Sequence, residues 1–229
     1  MDSSFLEFAY EDKAFPIGSG QTISQPYTVA FQTELLEVAK DHKILEIGTG
    51  SCYQACILLE MGARVFTLER QINLYKKVKS FFEMHHYQAR VFHRDGYDGL
   101  PSFAPFDRII ITAAIAQIPD SLKSQLKPGG ILVAPVGKSG HQTMLKMRKI
   151  SETEFTEEFH GGFVFVPMLP GKASDWVNGI AVENAKLTQA YQDETNYKRH
   201  KTVRKLNLQI QITIIDGYFA RQNGDTDWI

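Results

Sequence analysis

The stretch Lys43 to Leu58, KILEIGTGSCYQACIL, constrains this chain more than any other. Ile44, Leu45 and Ile47 make a short apolar run that reads as a buried strand. Gly48 and Gly50 then let the backbone turn and approach a ligand with no Cβ in the way. Strand, glycine loop and helix in that order build a nucleotide-type crevice. A dinucleotide fingerprint, G-x-G-x-x-G, would place its third glycine where Tyr53 stands, and a bulky Tyr there argues against a pyrophosphate packed on the helix N-terminus. No lysine follows the loop, which excludes a phosphate-cradling P-loop.

What remains is a loop shaped for a nucleoside without phosphates. The acidic Glu46 before the first glycine fits a ligand that carries an amino group, which points to S-adenosylmethionine. A second strand, Arg64 to Leu68, ends in Glu69, about 20 residues beyond the loop, where an acid in a βαβ unit takes ribose hydroxyls. After a third strand comes Asp95-Gly96, placed for the adenine side. Solvated turn residues would be the plain reading of any one of these acids. Their shared register at three successive strand ends favours a ligand site.

At 229 residues the chain suffices for one α/β domain with an appendage, and a hydrophobic share of 43% supplies its core. A net charge of −1 gives no general attraction to nucleic acid or acidic membranes. No apolar run approaches the roughly 20 residues of a membrane span, and MDSSFLEFAYEDK lacks the basic start and long apolar centre of a secretory leader. A cytoplasmic location is the expectation. Cys52 and Cys56, one helical turn apart, read as packing thiols. His85, His86 and His93 lack a carboxylate or cysteine partner at ligand spacing, so no metal is expected.

The first fifteen residues hold Phe5, Leu6, Phe8, Tyr10 and Phe15, which call for burial. Pro16 to Ala30 is polar and punctuated by glycine, a lid or substrate shelf ahead of a helix read over Thr28 to Ala39. PIGSGQTISQPYTVA, LEIGTGSCYQA, RDGYDGLP, FDRIIITAA and LKPGGILVAPVG follow one another over about residues 10 to 170. In order and spacing this set resembles the protein-L-isoaspartate O-methyltransferase family, with QTIS (Gln21 to Ser24) its most specific element.

The resemblance implies a Rossmann-like class I S-adenosylmethionine-dependent methyltransferase, an α/β fold with a mostly parallel sheet and antiparallel edge strands. It implies an enzyme of protein repair. A methyl group would pass from S-adenosylmethionine to the α-carboxylate of an L-isoaspartyl residue in a damaged protein or peptide, leaving S-adenosylhomocysteine. By the same resemblance Ser24 orients the reacting carboxylate, with Thr22 and Ile23 lining the methyl-donor side of the shelf. On chemistry alone Thr22 or Thr28 could supply that hydroxyl. Glu46, Gly48 and Gly50 would meet the methionine part of the cofactor, Glu69 the ribose, and Asp95 with Gly96 the adenine. Thr49, Arg70 and Thr112 complete the cofactor set. Val166, Pro167 and Met168, in a segment read as the last strand over Val164 to Leu169, are expected against the isoaspartyl peptide, and packing explains them about as well.

No general base is needed, because a carboxylate with an unperturbed pKa near 4 is already ionised at neutral pH. Elsewhere the chain reads as core: Leu74, Val78, Phe81 and Phe82 form a helical stripe, and Asp107 to Thr112 an apolar strand buried on both faces. Pro128 with Gly129-Gly130 reads as a turn before a strand over Ile131 to Val136. Thr143 to Ile150 and Phe155 to Met168 read as an antiparallel addition joined near Ser151 to Glu154.

Two departures from the family pattern bear on function. A helical segment ahead of the position of Met1 is part of that pattern, which keeps open a second reading: a protein that binds S-adenosylmethionine but is catalytically silent or a scaffold. Either the start is truncated or misassigned, or the aromatics of residues 5 to 15 cover the gap by dimerising. Cys52 stands where the family has glycine, at a cost of about 1 kcal/mol if its φ is positive. The methyltransferase core spans residues 1–172, and 173–229 is an extension without a matched role. Its basic run, Lys198 to Lys201 with Arg204 and Lys205, lacks interleaved aromatics and reads as a solvated face rather than a nucleic-acid site. LNLQIQITII, Leu206 to Ile215, alternates as a strand and could join the sheet edge, swap between protomers in a homodimer, or form a small module.

Overall fold

The computed structural model describes residues 11–138 and 140–173. The aromatics before residue 11 and the extension beyond residue 173, with its expected strand and dimer contact, lie outside the described residues. Two short strands, β1 (Phe15–Gly18) and β2 (Gln21–Ile23), pair as a hairpin ahead of helix α1 (Pro26–Leu36). Pro26 opens that helix at a position where its fixed φ suits the first turn. The helix ends three residues before Ala39, because Glu37 takes a left-handed conformation and its carboxylate is drawn to Lys146 Nζ at 2.6 Å and Arg148 Nη2 at 2.9 Å.

Then come β3 (Lys43–Ile47), α2 (Tyr53–Glu60), β4 (Arg64–Glu69), α3 (Ile72–Met84), β5 (Arg90–His93) and β6 (Phe106–Ile111). The short helix α4 (Asp120–Lys123) leads to β7 (Leu126–Lys138), β8 (His141–Lys149) and β9 (Phe155–Phe163). They form one seven-stranded sheet in the order β5-β4-β3-β6-β7-β8-β9. Pairing is parallel from β5 to β7 and antiparallel at β7–β8 and β8–β9, the mixed sheet that the sequence predicts. Strand order reverses between β3 and β6. In an open α/β sheet the ligand crevice lies at that switch point, outside the carboxyl ends of the strands.

The pleat sorts the core. Ile44 points to the face covered by α1, α2 and α3, where it meets Leu36, Ala55, Leu58 and Val78, while Leu45 and Ile47 pack with Phe66, Leu100 and Leu122 on the other. Ile109, Ile110 and Ile111 are wholly buried, as strands covered on both sides require.

Two elements differ from the sequence reading. The LKPGG stretch is a bulge inside β7 rather than a turn before it: Phe106 pairs with Leu126, and pairing resumes at Arg108 with Ile131. A Cβ on Gly130 would lie 2.8 Å from the Leu126 side chain, so glycine lets the strand fold over itself there. Val164 to Leu169 is not a strand. Its pairing is reduced to a single bridge between Ala114 and Pro167, a residue with no N–H to give to a ladder.

Candidate functional site

At the carboxyl ends of β3, β4 and β6 the chain forms a crevice whose walls come from five places in the sequence. The floor is the β3–α2 loop. Gly48 and Thr49 donate their N–H groups to the Leu68 carbonyl at 2.9 and 3.2 Å, which ties the loop to β4. Gly48 has φ of 98°, and a Cβ built on it would meet Thr112 Oγ1 at 2.5 Å. The Thr112 hydroxyl donates to the Ile47 and Gly48 carbonyls, so its immediate work is to fasten the glycine loop.

Glu69 ends β4 only 4% exposed, and its two carboxylate oxygens accept from Gly50 N at 2.9 Å and Gln71 N at 2.8 Å. Each oxygen keeps a lone pair for a ligand hydroxyl. Burial pushes its pKa up, against the backbone donors that lower it.

Glu46 is wholly buried on the helix-covered face of β3. Its Oε2 accepts from the Thr67 hydroxyl, which is joined to the Thr49 hydroxyl. Its Oε1 has no partner. Burial raises the carboxyl to about 8, and the Thr67 bond only partly opposes that. A buried acceptor without a donor is expensive, so this oxygen is suited to a ligand that brings N–H groups and positive charge.

Over the loop lies the shelf. The β1–β2 hairpin aligns Phe15 with Ile23 and Pro16 with Thr22, and Ile17 comes within 3.5 Å of where a Gly50 Cβ would be. Asp12 steadies the exit: its carboxylate accepts the Tyr27 N–H at 3.0 Å and its carbonyl the Gln25 side chain at 3.2 Å. Ser24 sits between β2 and α1 and faces the crevice together with Thr22 and Ile23. Val166, Pro167 and Met168 line the same crevice.

All the site residues expected from sequence line this one crevice except Asp95. Its neighbour Gly96 does line it, while the Asp95 carboxylate turns to backbone, accepting from Tyr97 N at 2.9 Å and Gly171 N at 2.5 Å. Thr28, the alternative hydroxyl, is buried and absent from the lining. His93 donates from Nε2 to the Arg70 carbonyl, 2.9 Å away, and His85 packs on Phe81.

Sequence reasoning missed Gln32 and Gln54. Both line the crevice, and each has a side-chain oxygen that is buried without a partner. Gln32 donates to the Ile111 carbonyl at 3.0 Å and Gln54 to Thr33 Oγ1 at 2.9 Å. A glutamine on the inward face of an apolar-periodic helix was the available signal.

Cys52 has φ of 67° and caps α2 in the left-handed region, 3% exposed. The strain expected from sequence is therefore present. Cys52→Gly is expected to leave the melting temperature unchanged or higher, because about 1 kcal/mol of relieved backbone strain offsets the lost thiol packing. Thermal unfolding of the two proteins checks this.

The model of the protein-L-isoaspartate(D-aspartate) O-methyltransferase family matches residues 1–173. The chain belongs to that family. A protein-L-isoaspartate O-methyltransferase of Flavobacterium johnsoniae is 56% identical over 173 residues, covering 75% of this chain and 81% of the relative. The Cytophaga hutchinsonii counterpart is 53% identical over 169 residues, covering 74% and 76%. A solved protein-L-isoaspartate O-methyltransferase superposes with a TM-score of 0.65 at 25% identity, over 71% of this chain and 54% of its own. A Plasmodium falciparum structure, described as a putative member in complex with S-adenosyl-L-homocysteine, has a TM-score of 0.61 at 22% identity and covers 70% and 81%. Likeness at that identity supports the Rossmann-like fold. Family membership gives this crevice a reaction class, and its residues can be weighed against it.

Proposed function

We infer that the chain is a protein-repair enzyme: it transfers a methyl group from S-adenosylmethionine to the α-carboxylate of L-isoaspartyl residues in damaged proteins and peptides. The single observation that carries this reading is the joining of the QTIS shelf to a phosphate-free glycine loop in one crevice. The residues present fit the cofactor. Glu46 Oε1 offers an unpaired buried acceptor for the amino group of the methionine part, and Glu69 keeps lone pairs for the ribose. Gly48 and Gly50 bring backbone to the ligand without side chains, and Gly96 lets Ile47 and Met168 pack directly on the backbone beside the crevice, where a Cβ would strike them at 2.5 and 2.9 Å.

When bound, S-adenosylmethionine supplies an electrophilic sulfonium methyl group. The chain supplies position. A substrate carboxylate, ionised at neutral pH, must lie about 3 Å from that methyl in line with the breaking bond, with water kept out. On this reading the Ser24 hydroxyl donates to one carboxylate oxygen and leaves the other free to attack. Thr22 and Ile23 close the shelf together with Val166, Pro167 and Met168. No residue has to move a proton, so no base need be found.

Ser24→Ala tests that assignment. A hydrogen bond to a charged group contributes about 1.5–3 kcal/mol, so kcat on an isoaspartyl peptide should fall at least about tenfold. Cofactor affinity should not change. Initial rates with saturating cofactor, paired with calorimetric titration of S-adenosylhomocysteine, separate the two; an unchanged kcat would remove Ser24 from the reacting carboxylate.

A further inference from the structure

The segment from Val164 to Ala173 leaves the sheet after β9 and runs along the crevice as a strap. Its middle, Val166 to Leu169, is a wall of the crevice. No strand ladder holds it. At its near end Ala114 donates to the Val166 carbonyl at 2.8 Å and accepts from Met168 N at 2.7 Å. Tyr97 adds its hydroxyl to the Met168 carbonyl at 3.1 Å.

The far end is gripped by two charged side chains from distant strand ends. Arg70, just after β4, donates Nε to the Gly171 carbonyl at 3.0 Å and Nη2 to the Pro170 carbonyl at 3.3 Å. Asp95, just after β5, accepts the Gly171 N–H at 2.5 Å. One residue of the strap thus has its carbonyl held by the cation and its N–H by the acid. Backbone bonds finish the seam: Ala173 N donates to the Arg70 carbonyl at 2.9 Å and Ile72 N to the Ala173 carbonyl at 3.2 Å. The grip fixes the wall's height over the ligand space, since Met168 lies flush on Gly96.

We propose that Arg70 and Asp95 are positioning residues for the substrate, which by gripping Pro170 and Gly171 hold Val166–Leu169 as the peptide-facing wall of the crevice. This rests on the methyl-transfer reading given above. It gives both residues work on the peptide rather than on the cofactor. Each oxygen of the Asp95 carboxylate accepts one backbone N–H and, unlike Glu69, Asp95 is not among the residues lining the crevice, while two donors of Arg70 are committed to the strap. With either grip lost, the turn at Pro170 and Gly171 loosens between the tethers at Ala114 and Tyr97 and the backbone seam at Ala173, and the wall samples positions that no longer match the peptide.

The test is a double-mutant cycle with Arg70→Ala and Asp95→Ala, each protein carried as the full chain. Each single change should raise KM for an isoaspartyl peptide about tenfold with kcat changed by less than about twofold, the loss of charge-assisted hydrogen bonds. The double variant should be little worse than the worse single one, because both act on the same segment. Arg70→Lys, which keeps a donor, should recover part of the effect. S-adenosylhomocysteine affinity should stay within about twofold of the parent. Amide hydrogen exchange supplies the readout that a cofactor contact would not move: the Met168 N–H, at the other end of the strap, should exchange faster in both single variants. Unchanged Met168 exchange, with cofactor affinity falling as far as KM rises, would overturn the proposal. If the parent protein methylates no isoaspartyl peptide, the functional reading falls while the exchange data still decide whether the grip holds the strap.

Discussion

Gly48→Ala is expected to raise the dissociation constant for S-adenosylhomocysteine by at least about 100-fold and to lower the melting temperature. Two costs coincide at this residue. Its φ of 98° is a conformation that side chains with a Cβ avoid, and the added methyl would sit 2.5 Å from Thr112 Oγ1. That hydroxyl cannot step aside without giving up its bonds to the Ile47 and Gly48 carbonyls. Left-handed strain and overpacking cost about 1–3 kcal/mol each, so the loop moves and takes Thr49 and Gly50 with it. Calorimetric titration with a thermal melt checks both halves. Gly129→Ala is the control for a positive φ without a clash: φ is 78° and nothing lies within 4 Å of its Cβ position, so it should lose some stability and no affinity.

Glu46 carries the second large effect, and it depends on pH. Burial holds its carboxyl at about 8, so at neutral pH the group is mostly protonated before a ligand binds. Binding a ligand with an ammonium group favours the ionised form and releases that proton. Affinity for S-adenosylhomocysteine should therefore rise nearly tenfold per pH unit from 6 toward 8 and flatten above about 8. The linkage for folding has the opposite sense. A pKa raised above the unfolded value contributes stability below the unfolded pKa that is lost as pH rises through about 8, so the empty protein should melt lower at pH 9 than at pH 6. Glu46→Gln should abolish both slopes. Glu46→Leu should cost affinity by roughly 100-fold or more, because a desolvated charge left without its partner is penalised by about 3–5 kcal/mol. Titrations in two buffers of different ionisation enthalpy count the proton; zero released at pH 7 would contradict this role.

The parts of the site that could be read from sequence are those in which one short segment carries its own physics. An apolar strand followed by Gly48 and Gly50 announces a loop that must approach a ligand, and Glu46, Glu69 and Asp95 read as acids at three strand ends; the pairing staggers them, with Glu46 opposite Thr67 inside β3, Glu69 opposite His93 at the end of β4, and Asp95 two residues past β5. The edge strands were legible in outline as stretches of mixed polarity on either side of Ser151 to Glu154, although the second ends at Phe163 rather than running on to Met168. Long-range partnership was not. Nothing within a few residues of Asp95 reveals that its carboxylate reaches Gly171, or that Arg70 reaches the carbonyls of Pro170 and Gly171. Val164 to Leu169 has strand composition, but a strand needs a neighbour with free donors and acceptors in register, and only Ala114 is offered. Glycines after Pro128 read as a stop, although the sheet absorbs them as a bulge because Phe106 and Leu126 are already paired. Gln32 and Gln54 were hidden by the helix period, which marks a position as inward without saying whether core or crevice lies there.

The central claim is that this crevice methylates the α-carboxylate that exists only where aspartate is linked through its side chain. The most direct measurement incubates the full chain with methyl-labelled S-adenosylmethionine and two peptides that differ only in that linkage, then follows label retained and label lost on mild alkali. Label on the isoaspartyl peptide alone, released by base as expected of a methyl ester, is the predicted result. Equal labelling of both peptides, or tight binding of S-adenosylhomocysteine with no label on either, would contradict it.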